Sequence, residues 1–203
     1  MQNLPLAFTY SDEYFSVADT LECGQVFRYK KLSDNRYGVW SLGNYAEAEN
    51  VDGQARVYTL NPDYFWKYFD LDTSYEQKVE QISAVSPVMQ AAASAGRGIR
   101  ILRQDPTETL FSFIISANNN IKRIQSIVER ICQNLGERTE FGFAFPSVQS
   151  LSVTPPQTFR QWGAGYRDEY LFKTANSLLS FDFAAWGEYA TPELKKQLLS
   201  LSG

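Results

Sequence analysis

The sequence predicts an α+β fold, with a sheet-forming N-terminal part and helices after it. Three observations carry this. Up to about residue 60, β-branched and aromatic runs dominate, and Asp52-Gly53 stands between two of them. At Asn61-Pro62 the pattern turns to capped, proline-opened segments. From Pro106 onward, apolar residues either fill a segment or recur at helical spacing. Strands first and helices second, without alternation, is the α+β order.

The elements follow in turn. GQVFRYKKL and RYGVWSL read as strands around a Ser33-Asp34-Asn35 turn, with Gly24 opening the first. YAEAENV and QARVYTL flank Asp52-Gly53, a strong hairpin signal, so an antiparallel sheet is expected over roughly residues 20–60. Asn61-Pro62 opens a short helix, and Ser86-Pro87 opens another that Gly96 closes. Both are expected to cover one face of the sheet. IRIL at 99–102 reads as a further strand or as the link to a second domain. Asp105-Pro106-Thr107-Glu108 is a dense helix start. The helix after it, TLFSFIIS, is apolar nearly all round and is expected to be buried. Ile121, Ile124, Val128, Ile131 and Leu135 mark the next helix, which Gly136 ends. Thr154-Pro155 opens one that stops near Gly163 and Gly165, another starts near Tyr166, and Thr191-Pro192 opens the last. The second half is therefore expected to be all helix. The domains are placed at 1–103 and 104–203, and Gly203 falls where a helix C′ glycine would stand.

Composition narrows the function. The chain has 203 residues, 44% of them hydrophobic, enough for a substantial core. Net charge is −4, so any nucleic-acid contact must come from a local patch. Histidine is absent, which removes histidine bases, triads and zinc ligands of this chain. Cys23 and Cys132 lie far apart and read as reduced thiols of a cytoplasmic protein. The N-terminus lacks a signal-peptide layout, and no stretch approaches the ~20 apolar residues of a membrane span.

Two turns stand out. Asn118-Asn119-Asn120 joins two helices, and capping accounts for two asparagines of the three. The third leaves an amide beside Arg123, whose place in the first turn of a helix is unfavourable against the dipole. Asn and Arg are planar forks suited to base edges. Gly165-Tyr166-Arg167 sets an aromatic and an arginine on a glycine turn. Such an aromatic stacked on a base is worth about 1–3 kcal/mol, although most isolated Gly-Tyr-Arg stretches are ordinary surface.

Four segments, GQVFR at 24–28, LRQDPTETLFSFIISANNNIKRI at 102–124, VERICQNLG at 128–136 and GAGYRDEY at 163–170, resemble the 8-oxoguanine DNA glycosylase/AP lyases of the helix-hairpin-helix superfamily, nearest the bacterial type in loop length. The resemblance implies an N-terminal sheet domain like half of a TATA-binding protein, followed by a helical glycosylase domain. It implies a substrate-reading role for Gly24, whose carbonyl accepts a hydrogen bond from N7–H of the oxidised base. It also implies DNA contacts from four side chains. Asn118 fills the gap left by the extruded base, Arg123 and Arg167 bracket the orphaned cytosine, and Tyr166 wedges the duplex. The partner is duplex DNA with 8-oxoguanine opposite cytosine. No cofactor and no metal is expected, and the protein is expected to act as a monomer in the cytoplasm at the bacterial nucleoid. The family's nucleophilic lysine and a later aspartate have no match before Gly203. The chain is thus expected to be truncated at the start of the helical hairpin, to hold no catalytic residue, and to be inactive alone. Lys195 and Lys196 are expected on a solvated face, and Leu194, Leu198 and Leu201 partly exposed. Two other readings stand beside this one: a related glycosylase for other modified purines, and a non-catalytic damaged-DNA-binding fragment.

Overall fold

The computed structural model describes residues 4–181, 186 and 190–203. The chain forms two compact units, Met1–Gln104 and Asp105–Gly203.

The first unit runs β1 (Leu6–Ser11), α1 (Val17–Glu22), β2 (Tyr29–Lys31), β3 (Arg36–Ser41), β4 (Asn44–Val51), β5 (Gln54–Thr59), α2 (Pro62–Tyr68), α3 (Tyr75–Ser83) and α4 (Pro87–Ala95). The sheet order is β1-β5-β4-β3-β2, antiparallel throughout. The expected hairpin is there: Val51 pairs with Gln54 across Asp52 and Gly53, whose φ values of 52° and 75° fit a two-residue turn with both central residues left-handed. Alternate residues of the three middle strands face the core, namely Tyr37 and Val39, Ala46 and Ala48, Ala55 and Val57. The alanines leave room for the larger rings of Phe15, Phe65, Tyr68 and Phe69.

Several expectations need correction. The sheet starts earlier than residue 20, because β1 returns to pair with β5. GQVFR is not a strand. Residues 24–28 form an irregular turn after α1, and pairing begins only at Tyr29. The helix capped by Ser16, whose hydroxyl accepts from the Asp19 amide, precedes that turn. Of the two expected helices, α2 covers the sheet. In α4 no residue is buried, and it packs beside α3 instead. IRIL is irregular backbone, not a strand.

What holds that linking segment is a buried arginine. Arg100 is fully buried, and its guanidinium donates to the carbonyls of Phe69, Tyr14 and Thr73 at 3.0 Å and to that of Asp70. It also lies over the Tyr75 ring, 3.9 Å from the centroid. Carbonyl dipoles and an aromatic face stand in for the carboxylate a buried cation usually needs.

The second unit holds α5 (Pro106–Ser116), α6 (Ile121–Leu135), β6 (Arg138–Thr139), β7 (Gly142–Phe143), α7 (Val148–Ser152), α8 (Pro156–Gln161), a 3₁₀ turn (Gly165–Arg167), α9 (Asp168–Leu178) and α10 (Thr191–Leu198). It is not purely helical, since β6 and β7 pair in a short ladder. Asp105 caps α5, accepting from the Glu108 amide at 2.9 Å. That helix is not buried all round. Phe111, Ile114 and Ile115 face the core while Phe113 is half exposed. On α6 the apolar stripe is Ile124, Ile127, Val128 and Ile131, and Ile121 is exposed. The C-cap of α10 is Leu199, so Gly203 is not its C′ residue. Lys195, Lys196 and Leu198 are exposed, and Leu194 and Leu201 are partly so. Among the described residues no helix is long and apolar enough to cross a membrane.

Candidate nucleic-acid interface

The asparagine turn divides its work residue by residue. Asn118 takes the left-handed conformation, φ 48°, that stops α5. Asn120 caps α6, its Oδ1 accepting from the Arg123 amide at 3.0 Å. Asn119 Nδ2 donates to the open carbonyl of Ile115 at 3.1 Å, and its Oδ1 accepts from the Asn120 amide at 3.0 Å. Each asparagine therefore has a structural task. Only the Asn118 side chain is left over: it is exposed, and its amide has no hydrogen-bond partner among the described residues.

The second turn closes against the first. Gly163 and Gly165 are both left-handed, with φ of 101° and 62°. A Cβ on Gly163 would stand 2.9 Å from Arg130 Nη1, the movable end of a flexible side chain, so it is the φ of 101° rather than the space that favours glycine there. Arg130 donates to the Trp162 carbonyl, and Arg123 Nη2 reaches the Gly163 carbonyl at 3.5 Å. Two arginines seven residues apart on one helix thus grip the same turn.

Arg167 completes the clasp. The sequence places it on an exposed turn, but only 4% of it is accessible. Its Nε donates to the Ala117 carbonyl at 2.9 Å, and Nη2 donates to Ala117 and, at 3.1 Å, to Asn118. Nη1 donates to Ala164 at 3.2 Å, which leaves the second Nη1 hydrogen without a partner among the described residues. A helix C-terminus presents unpaired carbonyls, and a guanidinium fork is well shaped to satisfy them. The Tyr166 ring lies beside this fork, 4.4 Å from its carbon, and is 55% exposed. Asn118, Arg123 and Tyr166 are therefore accessible side chains on two clasped turns, and Arg167 is the buried tie between them.

Sequence reasoning passed over Asp168. It is 2% exposed, accepts from Arg160 Nε at 2.7 Å and from the Glu169 amide at 2.8 Å, and begins α9 directly after the Gly-Tyr-Arg turn. The Arg160 hydrogen bond holds its carboxyl below the usual carboxylate range. An acidic residue opening a helix was the available signal. It also passed over Arg130, which reads as one more exposed helix cation.

Gly24 belongs to the first unit. Its φ is +90°, and a Cβ built there would meet no atom within 4 Å. Glycine is needed for the backbone conformation, and the space beside it is open. Among the described residues no cluster of metal-ligating side chains is arranged to hold an ion.

An antiparallel sheet unit followed by a helical unit is the architecture this chain shares with solved DNA glycosylases. The chain superposes over 99% of its length, and 76% of the other, on the apo form of Clostridium acetobutylicum 8-oxoguanine glycosylase/lyase, with a TM-score of 0.88 at 27% identity. The chain belongs to the 8-oxoguanine DNA glycosylase family, whose N-terminal domain profile matches residues 7–110. The N-glycosylase/DNA lyase of Saccharomyces cerevisiae is 34% identical over 187 residues, covering 81% of this chain and 50% of that protein. The chain spans about half the length of the curated relatives it matches. The Clostridium acetobutylicum enzyme in complex with double-stranded DNA containing cytosine opposite 8-oxoguanine gives a TM-score of 0.86 at 28% identity, over 98% of this chain and 74% of that one.

Proposed function

We propose that this chain is the damage-reading part of an 8-oxoguanine DNA glycosylase/AP lyase, and that it recognises 8-oxoguanine paired with cytosine in duplex DNA. The observation that carries the reading is the exposed Asn118 amide, without a partner among the described residues, on a turn clasped to an exposed Tyr166, in a chain of this family. Extruding a nucleotide costs a few kcal/mol. Asn118 offsets that cost by standing in the vacated stack, and Tyr166 by wedging between bases. Arg123 reads the cytosine edge, which presents acceptors once its partner has left. Arg167 holds the turn that carries Tyr166, and the cytosine contact that the resemblance implies for it requires its guanidinium to turn out of the clasp. Gly24 supplies a carbonyl for N7–H of the oxidised base, a proton that guanine lacks.

The chemistry assigned to the whole protein is displacement of the base by a lysine amine at C1′, giving a Schiff base, followed by β-elimination. Lys195 and Lys196 are exposed on α10 and are not assigned the nucleophile. The 203-residue chain by itself is therefore expected to bind without cutting. The test is titration of the chain with an 8-oxoguanine:cytosine duplex and its guanine:cytosine counterpart, together with borohydride trapping. Tighter binding of the first without a trapped adduct is the expected result. Equal binding of the two refutes damage recognition, and a trapped adduct refutes the lysine assignment.

A further inference from the structure

We infer that Gln25 is the positioning residue for the Gly24 carbonyl, and that through it Gln25 sets how sharply the protein separates 8-oxoguanine from guanine. The inference rests on the role proposed for Gly24. That carbonyl sits on an irregular turn after α1, with no ladder to hold it and a left-handed φ of +90°. The next side chain does the holding. Gln25 Nε2 donates to the carbonyls of Arg100 at 2.8 Å and Thr20 at 2.9 Å, and Gln25 Oε1 accepts from the Leu102 amide at 2.9 Å. Bonding to Arg100 O and Leu102 N together is how a neighbouring strand's peptide pairs with a chain. Here a carboxamide supplies the same pairing. The Gln25 carbonyl in turn accepts from Gln104 Nε2 at 2.7 Å.

The far side of these bonds is rigid. Arg100 is locked by its own guanidinium, and its amide donates to Thr20 Oγ1 at 3.1 Å. Thr20, fully buried, donates onward to the Gly98 carbonyl at 3.3 Å. The hydrogen bonds of Gln25 thus reference the start of the turn to the buried frame of its unit, while Val26 and Phe27 anchor its later residues by packing. Discrimination by a single hydrogen bond is sensitive to such placement, because the bond weakens steeply as its angle falls. Contacts made by Asn118, Arg123 and Tyr166 do not run through this turn, so the two kinds of recognition are separable.

The experiment uses the whole chain and three duplexes: 8-oxoguanine:cytosine, guanine:cytosine, and an abasic analogue opposite cytosine. Gln25→Leu keeps the bulk of the side chain and removes its donors and acceptor. The expected result is a fall of about fivefold or more in the preference for 8-oxoguanine over guanine, with abasic binding held within about twofold. A folded variant that keeps the wild-type preference overturns the inference, as does one that weakens all three duplexes alike. Should Gln25→Leu fail to fold, Gln25→Glu keeps the shape and the acceptor for the Leu102 amide but loses the donors to Thr20 and Arg100, and an unchanged preference there overturns the inference equally. If the wild-type chain itself binds the first two duplexes alike, the Gly24 reading falls and takes this one with it.

Discussion

Arg167→Ala tests whether the clasp between the two turns is the structural element it looks like. Removing the guanidinium strips the Ala117 and Asn118 carbonyls of their charged donors at the end of α5, leaving Ala117 only a long 3.5 Å contact from the Tyr166 hydroxyl. The Ala164 carbonyl, which is buried, also loses a guanidinium bond but keeps the Arg167 backbone amide at 3.3 Å. Two carbonyls thus lose charge-assisted bonds worth about 1.5 kcal/mol each at the low end, since their exposed residues admit water in exchange. The expected loss is about 3 kcal/mol, with the buried stem adding to it. Arg167→Lys keeps the charge but not the fork, and about half of that loss is expected. Arg123→Ala is the control: Arg123 is exposed and among the described residues its guanidinium has one 3.5 Å hydrogen bond, so its removal is expected to change stability by no more than about 0.5 kcal/mol. Denaturant titration followed by far-ultraviolet circular dichroism measures all three, fitted to two transitions because the chain has two units. A loss below about 1 kcal/mol for Arg167→Ala, or equal behaviour of the Ala variants at 123 and 167, refutes the clasp.

Two further predictions follow from neighbouring groups. Asn118→Gly suits a φ of 48° at least as well as asparagine does, so stability is expected to hold while affinity for an 8-oxoguanine:cytosine duplex drops about tenfold; a calorimetric melt and a binding titration report the two separately. Asp168 has its carboxyl pKa lowered in the folded chain by the Arg160 hydrogen bond, so its stabilisation is fully present above the unfolded value near ~4 and is lost as pH falls through the folded one. Asp168→Asn is accordingly expected to cost about 1–2 kcal/mol at neutral pH and progressively less in acid, which denaturation at pH 7 and at pH 3 would show.

Local patterns were the legible part. Asp52-Gly53 gave the hairpin because two consecutive left-handed residues admit few other sequences. Asp105-Pro106 gave the start of α5 because cap and first-turn chemistry are local. The short turn at Gly24 was misread as a strand for a physical reason: Val26 and Phe27 are β-formers that are buried here by packing rather than by pairing. β1 was missed because its partner, β5, lies more than 40 residues on, and no local signal records a long-range ladder.

The candidate site divides along the same line. Sequence alone determined that three asparagines sit at a helix junction, that a glycine turn carries Tyr166 and Arg167, and that these stretches match one family. Capping chemistry could not say which asparagine keeps its side chain spare, since all three are competent caps; only the family resemblance singled out Asn118. The tertiary structure gives the physical division, with Asn119 and Asn120 bonded into the turn and the Asn118 side chain exposed without a partner among the described residues, and it alone decided that Arg167 is buried. The α5 carbonyls meet that guanidinium across 49 or 50 residues of chain, and hydrogen bonds closed over such a distance leave no trace in local spacing.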